Sequence, residues 1–450
     1  MTFSALDSQL TGALFAADAM AAVFSDRARI AAMLRVKAAL ARAQAALGLA
    51  PAALAPALEA IDPASLDLDR LGRLTADAGV PTIPFVQALQ ARLPPELARA
   101  FHRGATTQDI IDTALVLQMR EAFDLVAADA VAILEGLSEL AESHRATACP
   151  GRTYGQHAAP VTFGFKAAVW MTGIADAAAH LPRLRERVLV ASLGGPVGTL
   201  ASFGERGPAV LEAFARELRL GATPIAWHAL RGRMAEAGAW LALLVGALAK
   251  MAADVAHLAS TEVGEVAEPH SPGRGGSSSM PHKRNPVSST IVLAAHAAAK
   301  GHAAALIDAM AAGHERPAGL WHAEWHALPS LFGLASGALR EARRLAGGLV
   351  VDPERMRRNL DATRGLLYAD AAAARLADSL GREEAHRLVE RAAGEVRDTG
   401  EHLEAVLARL TPHPTGGAFD HAAAVRAAGP WIDRALSHAA EIRESLLMER

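Results

Sequence analysis

The sequence predicts an all-α protein, and three observations indicate this fold class. Four long stretches carry apolar residues at helical spacing and contain little proline. Alanine is abundant, and aromatic residues make up only 4% of the 450 residues. Runs of β-branched residues are scarce. Because alanine has the highest helix propensity, whereas strands favour β-branched and aromatic side chains, this composition predicts closely packed helices.

The composition also limits the kind of protein. With 51% hydrophobic residues the chain can bury a large core. Its net charge of −3 does not indicate the basic surface that nucleic-acid binding requires. Cys149 is the one cysteine, so no intramolecular disulfide is possible, and we expect a buried apolar residue. The first residues lack a signal-peptide pattern, and the most apolar run, AGAWLALLVGALA (237–249), is shorter than a bilayer span. We therefore expect a soluble cytoplasmic protein that binds neither membrane nor nucleic acid.

The N-terminal part, residues 1–109, is predicted to be a helical domain. From Asp26 the chain has apolar residues at positions 33, 36, 40, 43 and 47, which is helical spacing, and Gly48 is placed to end this helix. Seven prolines between residues 50 and 100 predict short helices and turns there.

The middle of the chain, residues 110–350, is predicted to be a bundle of long helices. The four long stretches run over about 110–146, 229–262, 286–310 and 320–349, the last with a bend at Pro329. The first would be about 50 Å long at a rise of ~1.5 Å per residue. A small helical domain, residues 351–450, is expected to follow, with Asp352 as N-cap and Pro353 at the first helical position.

Three polar segments interrupt the helices, and these are the places where a ligand is expected. The first polar segment is HRGATTQD (102–109), the second is CPGRTYGQHAAP (149–160) and the third is GGSSSMPHKRNP (275–286). In the third, glycines permit close backbone approach, and Lys283 and Arg284 supply positive charge before a helix whose N-terminus favours anions. This combination suits a carboxylate or a phosphate, although a flexible surface loop is the plainer interpretation. The phosphate-binding P-loop pattern is absent.

The third polar segment closely resembles the signature loop, GSSxMPxKxNP, of the fumarase/aspartase superfamily. The first resembles the HxGxTSxD region of that superfamily and the second its RTHxQxAxP region, in the same order along the chain. The resemblance covers nearly the whole chain and implies an α-helical homotetramer built around a twenty-helix bundle, with active sites shared between three subunits. We then expect the polar segments of one site to come from different subunits. We also expect assembly to bury the apolar stretch around Trp240 to Leu248.

The resemblance also implies a reaction and the residues that perform it. Members of the superfamily abstract a proton from a carbon next to a carboxylate, through an aci-carboxylate intermediate, and need no cofactor. Ser277 matches their proton-transferring serine. The expected substrate-binding residues are Lys283 and Asn285 for one carboxylate, Thr106, Thr107 and Gln108 as a second anion clamp, and His102, which fits the family's histidine position or is a structural cap.

The second polar segment departs from the family pattern in a way that has a chemical explanation. Most relatives have a histidine after Arg-Thr, where this chain has Thr153 followed by Tyr154. That histidine helps to protonate a leaving amine or hydroxide, whereas a carboxylate leaves as a stable anion and needs no strong acid. The departure therefore favours a lactone-forming cycloisomerase. Thr153 and Tyr154 are expected at the substrate pocket, and His157 either orients a carboxylate or is a helix-end histidine satisfied by backbone.

A fourth segment, HERPAGLWHAEWHALP (314–329), helps to choose the substrate. Adenylosuccinate lyases carry phosphate-binding arginines in a segment resembling ERDxSxSSVER. Arg316 is retained here, but Trp325 stands where the second arginine would fall. This argues against a nucleotide and favours a small polycarboxylate, which Arg316 would help to bind.

Other interpretations remain open from the sequence alone. His314, His322 and His326 could ligate zinc, but HAEWH is not HExxH, and we expect no metal. The glycine cluster GGPVG (194–198) predicts a turn between long helices. The competing functions are a fumarate-releasing lyase of the same superfamily and a structural tetramer without activity.

Overall fold

The computed structural model describes residues 2–448, and 67% of the chain is helical. This confirms the all-α prediction. A core that includes Met33, Leu58 and Phe85, and also Phe214 from further along the chain, lies among the N-terminal helices. They are α1 (Gly12–Phe15), α2 (Asp18–Val23), α3 (Asp26–Ala46), α4 (Leu54–Glu59), α5 (Leu68–Ala78), α6 (Thr82–Gln90) and α7 (Pro95–Ala98), with a 3-10 turn at Pro63–Ser65.

Long helices form the bundle in the middle of the chain. Their bounds are α8 (Thr107–Ser143), α9 (Phe163–Ala178), α10 (Leu181–Val188), α11 (Gly207–Leu218), α12 (Gly232–Leu258), α13 (Val287–Asp308) and α14 (Leu320–Gly348), with a 3-10 turn at Ala201–Arg206. Helices α8, α9, α12, α13 and α14 pack against one another around one large core. The four predicted long helices are confirmed, each ending within a few residues of the prediction, and Pro329 lies inside α14.

Two small antiparallel sheets lie among the helices. Strands β1 (Ala148–Thr153) and β2 (Gln156–Thr162) form a hairpin where the sequence had predicted only a polar interruption. Its turn residues Tyr154 and Gly155 have φ of 49° and 77°, as a two-residue turn of type I′ requires. Strands β3 (Val266–Ala267) and β4 (Val350–Val351) connect the chain after α12 to the end of α14.

The C-terminal helices divide into two groups. They are α15 (Pro353–Asp361), α16 (Ala369–Leu380), α17 (Arg382–Thr399), α18 (Leu403–Leu410) and α19 (Ala422–Met448), with a 3-10 turn at Leu366–Tyr368. The predicted start of α15 is confirmed, because the Asp352 side chain accepts the N–H of Arg355 at 2.8 Å. Helices α16 to α18 share a small core, whereas α19 returns to pack on α8 and α9. The division into three domains at residues 109/110 and 350/351 stays a prediction.

Helices α12 and α13 are long and apolar enough to cross a membrane by length and composition alone. Half of the most apolar stretch of α12 and a third of that of α13 are nevertheless buried inside the protein, as in core helices of a bundle. Trp240 and Leu248 are already buried within the single chain, so only the exposed part of this stretch is left for assembly to bury, which stays a prediction. The exposed apolar residue of this stretch is Leu243, with 67% of its surface accessible.

Candidate active site

A fully buried carboxylate organises the first polar segment at the start of α8. Asp109 accepts the backbone N–H of Thr106 at 2.8 Å, which closes a capping box and begins the helix. It also accepts the N–H groups of Gly194 and Gly195 at 2.8 and 3.0 Å. His228 Nε2 lies 2.6 Å from the same carboxylate. The predicted glycine turn is therefore held against α8, and Asp109 and His228 join a site in which the sequence had given them no role.

Arg316 lies against the first polar segment, beside other residues that the sequence predicts to bind the substrate. Its guanidinium donates to Gln108 Oε1 and Thr106 Oγ1, each at 3.1 Å, and to the carbonyl of Pro196 at 3.2 Å. Gln108 is fully buried and donates its amide N–H to the carbonyl of His228 at 2.9 Å. Both ends of the Gln108 amide are thus occupied, so it orients Arg316. Thr107, the first residue of α8, is partly buried beside them.

A buried lysine that the sequence analysis did not identify lies beside His102. Lys37, on α3, is 2% exposed, and its Nζ lies within hydrogen-bond distance of His102 Nδ1. Its Nζ is 4.8 Å from the centroid of the Phe101 ring. Burial lowers the pKa of Lys37 to about 7, although the charge of Asp109 opposes the shift. Burial and the nearby Lys37 charge lower the pKa of His102 to about 3, so this imidazole is neutral at physiological pH.

The third polar segment forms a loop that is closed at its neck. Asn285 N–H donates to the carbonyl of Gly275 at 2.8 Å, and Gly276 forms an isolated antiparallel β-bridge with Arg284. Gly275 has φ of 70°, and a Cβ there would lie 2.7 Å from the Asn285 carbonyl oxygen, so only glycine fits. At the tip, Ser277 Oγ is near the N–H groups of Ser279 and Met280, at 3.4 and 3.1 Å.

Acidic residues of the chain itself anchor this loop. Arg274 forms an ion pair with buried Glu341, and Glu268 accepts the backbone N–H groups of Ser288 and Ser289 at 2.9 and 2.8 Å. The first turn of α13 is therefore already capped by a carboxylate. The expectation that this helix N-terminus would bind an external anion is wrong. The exposed side chains of the loop, Lys283 and Asn285 among them, remain free to meet a ligand.

The second polar segment forms the β1–β2 hairpin, which presents His157 opposite Arg152. Arg152 forms an ion pair with fully buried Glu265, which also accepts from Asn359 at 2.8 Å. Burial, assisted by the charge of Arg152, lowers the pKa of His157. Nδ1 of His157 is buried without a hydrogen-bond partner in the described part of the chain, and the residue lies on a strand. The alternative of a helix-end histidine satisfied by backbone is therefore wrong.

At the tip of this hairpin, Thr153 and Tyr154 are exposed, and the Tyr154 side chain is fully accessible. Thr153 nevertheless lines a cavity together with Arg152 and Lys166, whereas Tyr154 is not among the residues that line this cavity.

The length of α8 separates the predicted site residues into two groups. The helix has 37 residues and is about 55 Å long at ~1.5 Å per residue. The first polar segment and Arg316 lie at its beginning, whereas the hairpin follows its end. The third polar segment is on the hairpin's side of the bundle, because Glu265, just after α12, is paired with Arg152 of β1. Within one chain, Arg316, Thr106 and Gln108 therefore lie together. Ser277 and His157 lie away from them, toward the other end of α8.

The histidines considered for zinc have other surroundings. His322 Nε2 lies 3.3 Å from the carbonyl of Gly79, and the His326 ring lies 5.5 Å from that of His302. His314 is exposed with φ of 53°. In residues 2–448 no group of three or more His, Cys, Asp or Glu is arranged to hold a metal ion. Cys149 is fully buried, as predicted, and burial raises its pKa to about 12.

A helical bundle that carries these three polar segments at the ends of its long helices defines a class of lyases. The chain belongs to the lyase family of the fumarase/aspartase superfamily, and the family model matches residues 13–301.

Among relatives, the chain is 44% identical over 441 residues to a 3-carboxy-cis,cis-muconate cycloisomerase of Pseudomonas aeruginosa, covering 96% of each chain. A crystal structure of 3-carboxy-cis,cis-muconate lactonizing enzyme from Pseudomonas putida superposes with a TM-score of 0.92 at 42% identity, covering 97% of this chain and 100% of that one. A nitrosuccinate lyase of Streptomyces davaonensis is 42% identical over 369 residues, covering 79% of this chain and 78% of that one.

Proposed function

We propose that this chain is a 3-carboxy-cis,cis-muconate cycloisomerase, which closes its substrate to 4-carboxymuconolactone in the β-ketoadipate pathway of protocatechuate catabolism. The observation that carries this assignment is near full-length similarity, in sequence and in structure, to enzymes of that name. The intact third polar segment supports an active enzyme over a structural tetramer, since an inactive bundle has no need of the chemistry in that loop.

In the proposed reaction, a substrate carboxylate attacks the ring-forming carbon through its oxygen, already ionised. The electrons of the double bond move toward the neighbouring carboxylate and give an aci-carboxylate. Ser277 then delivers its hydroxyl proton to the adjacent carbon, and the serine oxygen is left negative. The backbone N–H groups near Ser277 Oγ support this role, because donors directed at an oxygen stabilise the charge that develops on it.

The substrate carries three carboxylates, and the chain offers two groups of anion-binding side chains. Lys283 and Asn285 are exposed on the loop beside Ser277 and would hold the carboxylate next to the reacting carbon. Arg316, already oriented by Gln108 and beside Thr106, would hold another, with Thr107. Because Nε and Nη2 of Arg316 already donate to Gln108, Thr106 and the Pro196 carbonyl, Nη1 would be the nitrogen that donates to the substrate carboxylate.

The second polar segment would supply His157, with Thr153 and Tyr154 at the edge of the site. Because the carboxylate of the reverse reaction leaves as an anion, this segment needs no strong acid. The lowered pKa of His157 keeps its ring neutral near pH 7, which suits an orienting hydrogen bond better than proton delivery.

We further propose a cytoplasmic homotetramer whose sites are shared between subunits. The two groups of site residues are separated by about 55 Å of α8, so at least one other chain would have to complete each site. The resemblance to the superfamily implies three chains for each site. Apolar surface supports such assembly. Leu243, Ile307 and Met310 are at least half exposed, and α13 presents small residues such as Ala297 and Gly301 to solvent.

The proposal is tested by incubating the purified protein with 3-carboxy-cis,cis-muconate and following the loss of its ultraviolet absorbance. The expected product is the lactone, without release of fumarate. The alternative is a lyase that releases fumarate or a related alkene, which the similarity to a nitrosuccinate lyase favours. Turnover of an amino, nitro or succinyl substrate without lactone formation would replace the first assignment with the second. No turnover of any polycarboxylate would favour the structural tetramer.

A further inference from the structure

We propose that Lys37 is a positioning residue that fixes the proton of neutral His102 on Nε2, so that the imidazole presents an N–H donor to a substrate carboxylate. This inference rests on the proposed function for the identity of the substrate, but its proton assignment rests on the geometry of Lys37 and His102.

The first step of the argument is the unusual position of Lys37. It lies on α3 between Val36 and Leu40, which are both buried in the N-terminal core. Burying an amine is unfavourable unless it is hydrogen-bonded or paired. The described contacts of its Nζ are His102 Nδ1 and the face of the Phe101 ring, with the charge of Asp109 acting from the first turn of α8. The lysine is thus directed at the residue that begins the first polar segment.

The second step is the direction of the hydrogen bond. An ammonium group has donors only, so it can bind Nδ1 only if that nitrogen carries the lone pair. A neutral imidazole then carries its one proton on Nε2. The lowered pKa of His102 excludes the doubly protonated ring at neutral pH, so this histidine can donate a hydrogen bond but cannot act as an acid.

The third step is a pH dependence. The titratable groups that act on Lys37 are Asp109, which favours the ammonium, and His102, which is neutral. As the pH rises through about 7, Lys37 loses its proton and becomes an amine that can accept as well as donate. The constraint on Nδ1 is then lost. We therefore expect kcat/KM to fall as the pH rises above 7.

The experiment uses the full-length protein and the variants Lys37→Met, His102→Gln and His102→Asn. Glutamine places an amide N–H near the position of Nε2, whereas asparagine places one near Nδ1. His102→Gln should therefore retain more activity than His102→Asn. Lys37→Met should lower kcat/KM by about tenfold or more, but by less than the about 10² to 10³ that losing a whole positioned donor costs, and it should abolish the fall above pH 7. In a protein that already carries His102→Gln, adding Lys37→Met should cause no further loss of kcat/KM.

Gln44→Met is the matched control, because Gln44 lies on the same helix and its amide donates to the Arg103 carbonyl of the same segment at 2.9 Å. Gln44→Met should lower the free energy of unfolding but leave the pH profile of kcat/KM unchanged. Equal pH profiles for Lys37→Met and Gln44→Met, additive effects of Lys37→Met and His102→Gln, or higher activity of His102→Asn would each overturn the proposal.

A second readout does not depend on activity. Because the folded-state pKa of Lys37 lies below its unfolded value of 10.5, the unfolded chain binds more protons above pH 7, and stability should rise between pH 7 and 9. The urea midpoint of Lys37→Met should lack this rise. If the wild-type protein does not convert 3-carboxymuconate, the proposed function fails, while this measurement still tests Lys37. A rise of the same size in both proteins would show that Lys37 keeps an ordinary pKa and would overturn the inference.

Discussion

Replacing Arg231 with methionine should destabilise the protein more than any exposed charge substitution. Arg231 is fully buried at the start of α12 and donates to Asp112 at 2.7 and 3.1 Å. It also donates to Glu324 on α14, at 2.8 Å for the Nε contact. Trp321 Nε1 donates to the same Asp112 carboxylate at 2.9 Å. One guanidinium therefore satisfies two buried carboxylates from two neighbouring helices.

The magnitude follows from what the substitution leaves behind. Removing one partner of a buried ion pair leaves an unpaired buried charge and costs about 3–5 kcal/mol. Here two carboxylates lose their cation, so we expect the free energy of unfolding to fall by about that range at pH 7.5. Arg187→Met is the control, because its pair with Glu236 is exposed at 56% and 38% and such pairs contribute about 0–1 kcal/mol.

The deficit should also depend on pH. Burial raises the pKa of Glu324, although Arg231 opposes the shift through its hydrogen bonds and charge. Without Arg231 that opposition disappears, so the folded variant binds a proton that the unfolded chain has already lost. The deficit should therefore shrink as the pH falls from 7.5 to 5.

Urea unfolding at fixed protein concentration measures both effects, with the triple variant Asp112→Asn, Arg231→Met, Glu324→Gln expected to recover most of the loss. A deficit no larger than that of Arg187→Met, or one that does not change with pH, would refute this reasoning.

The remaining predictions concern activity and assembly. Ser277→Ala should lower turnover by about 10² to 10⁴ while leaving the unfolding curve unchanged, and near-normal activity would direct attention to Ser278. Lys283→Met should raise KM or lower kcat with little effect on stability, and unchanged kinetics would make Lys283 a solvated surface charge. Dialysis against EDTA should leave activity intact, and a loss that zinc restores would contradict the metal-free mechanism. A mixture of inactive Ser277→Ala and Thr107→Ala proteins, unfolded and refolded together, should regain part of the activity, and no recovery would argue for sites within single subunits.

The helices could be predicted from the sequence because their signals are local. Apolar spacing gave the long helices to within a few residues, and Asp352 with Pro353 gave the start of α15. The hairpin carried a weaker signal. Gly155 suits positive φ, but Tyr154 does not, and Pro150 and Pro160 interrupt short strands that have little β-branched content.

The polar network around the site could not be predicted in the same way. Lys37 binds a histidine 65 residues further along, and Asp109 and Arg231 each find a partner 119 residues away. Nothing local to α3 marks Lys37, except that a lysine occurs among residues at buried positions. Glu268 likewise lies 20 residues before Ser288, whose N–H it accepts at the start of α13. The sequence around the start of α13 therefore suggested an unoccupied anion-binding site.

The 37 residues of α8 also fix the relative orientation of the two ends of this helix. Each residue turns an α-helix by about 100° and advances it by ~1.5 Å. Inserting one residue in the middle would therefore rotate the hairpin by roughly a quarter turn relative to the first polar segment. Inserting seven would restore the angle to within about 20° but would move the hairpin by about 10 Å. Neither change is small on the scale of a hydrogen bond, so α8 can exchange residues along its length but cannot gain or lose them.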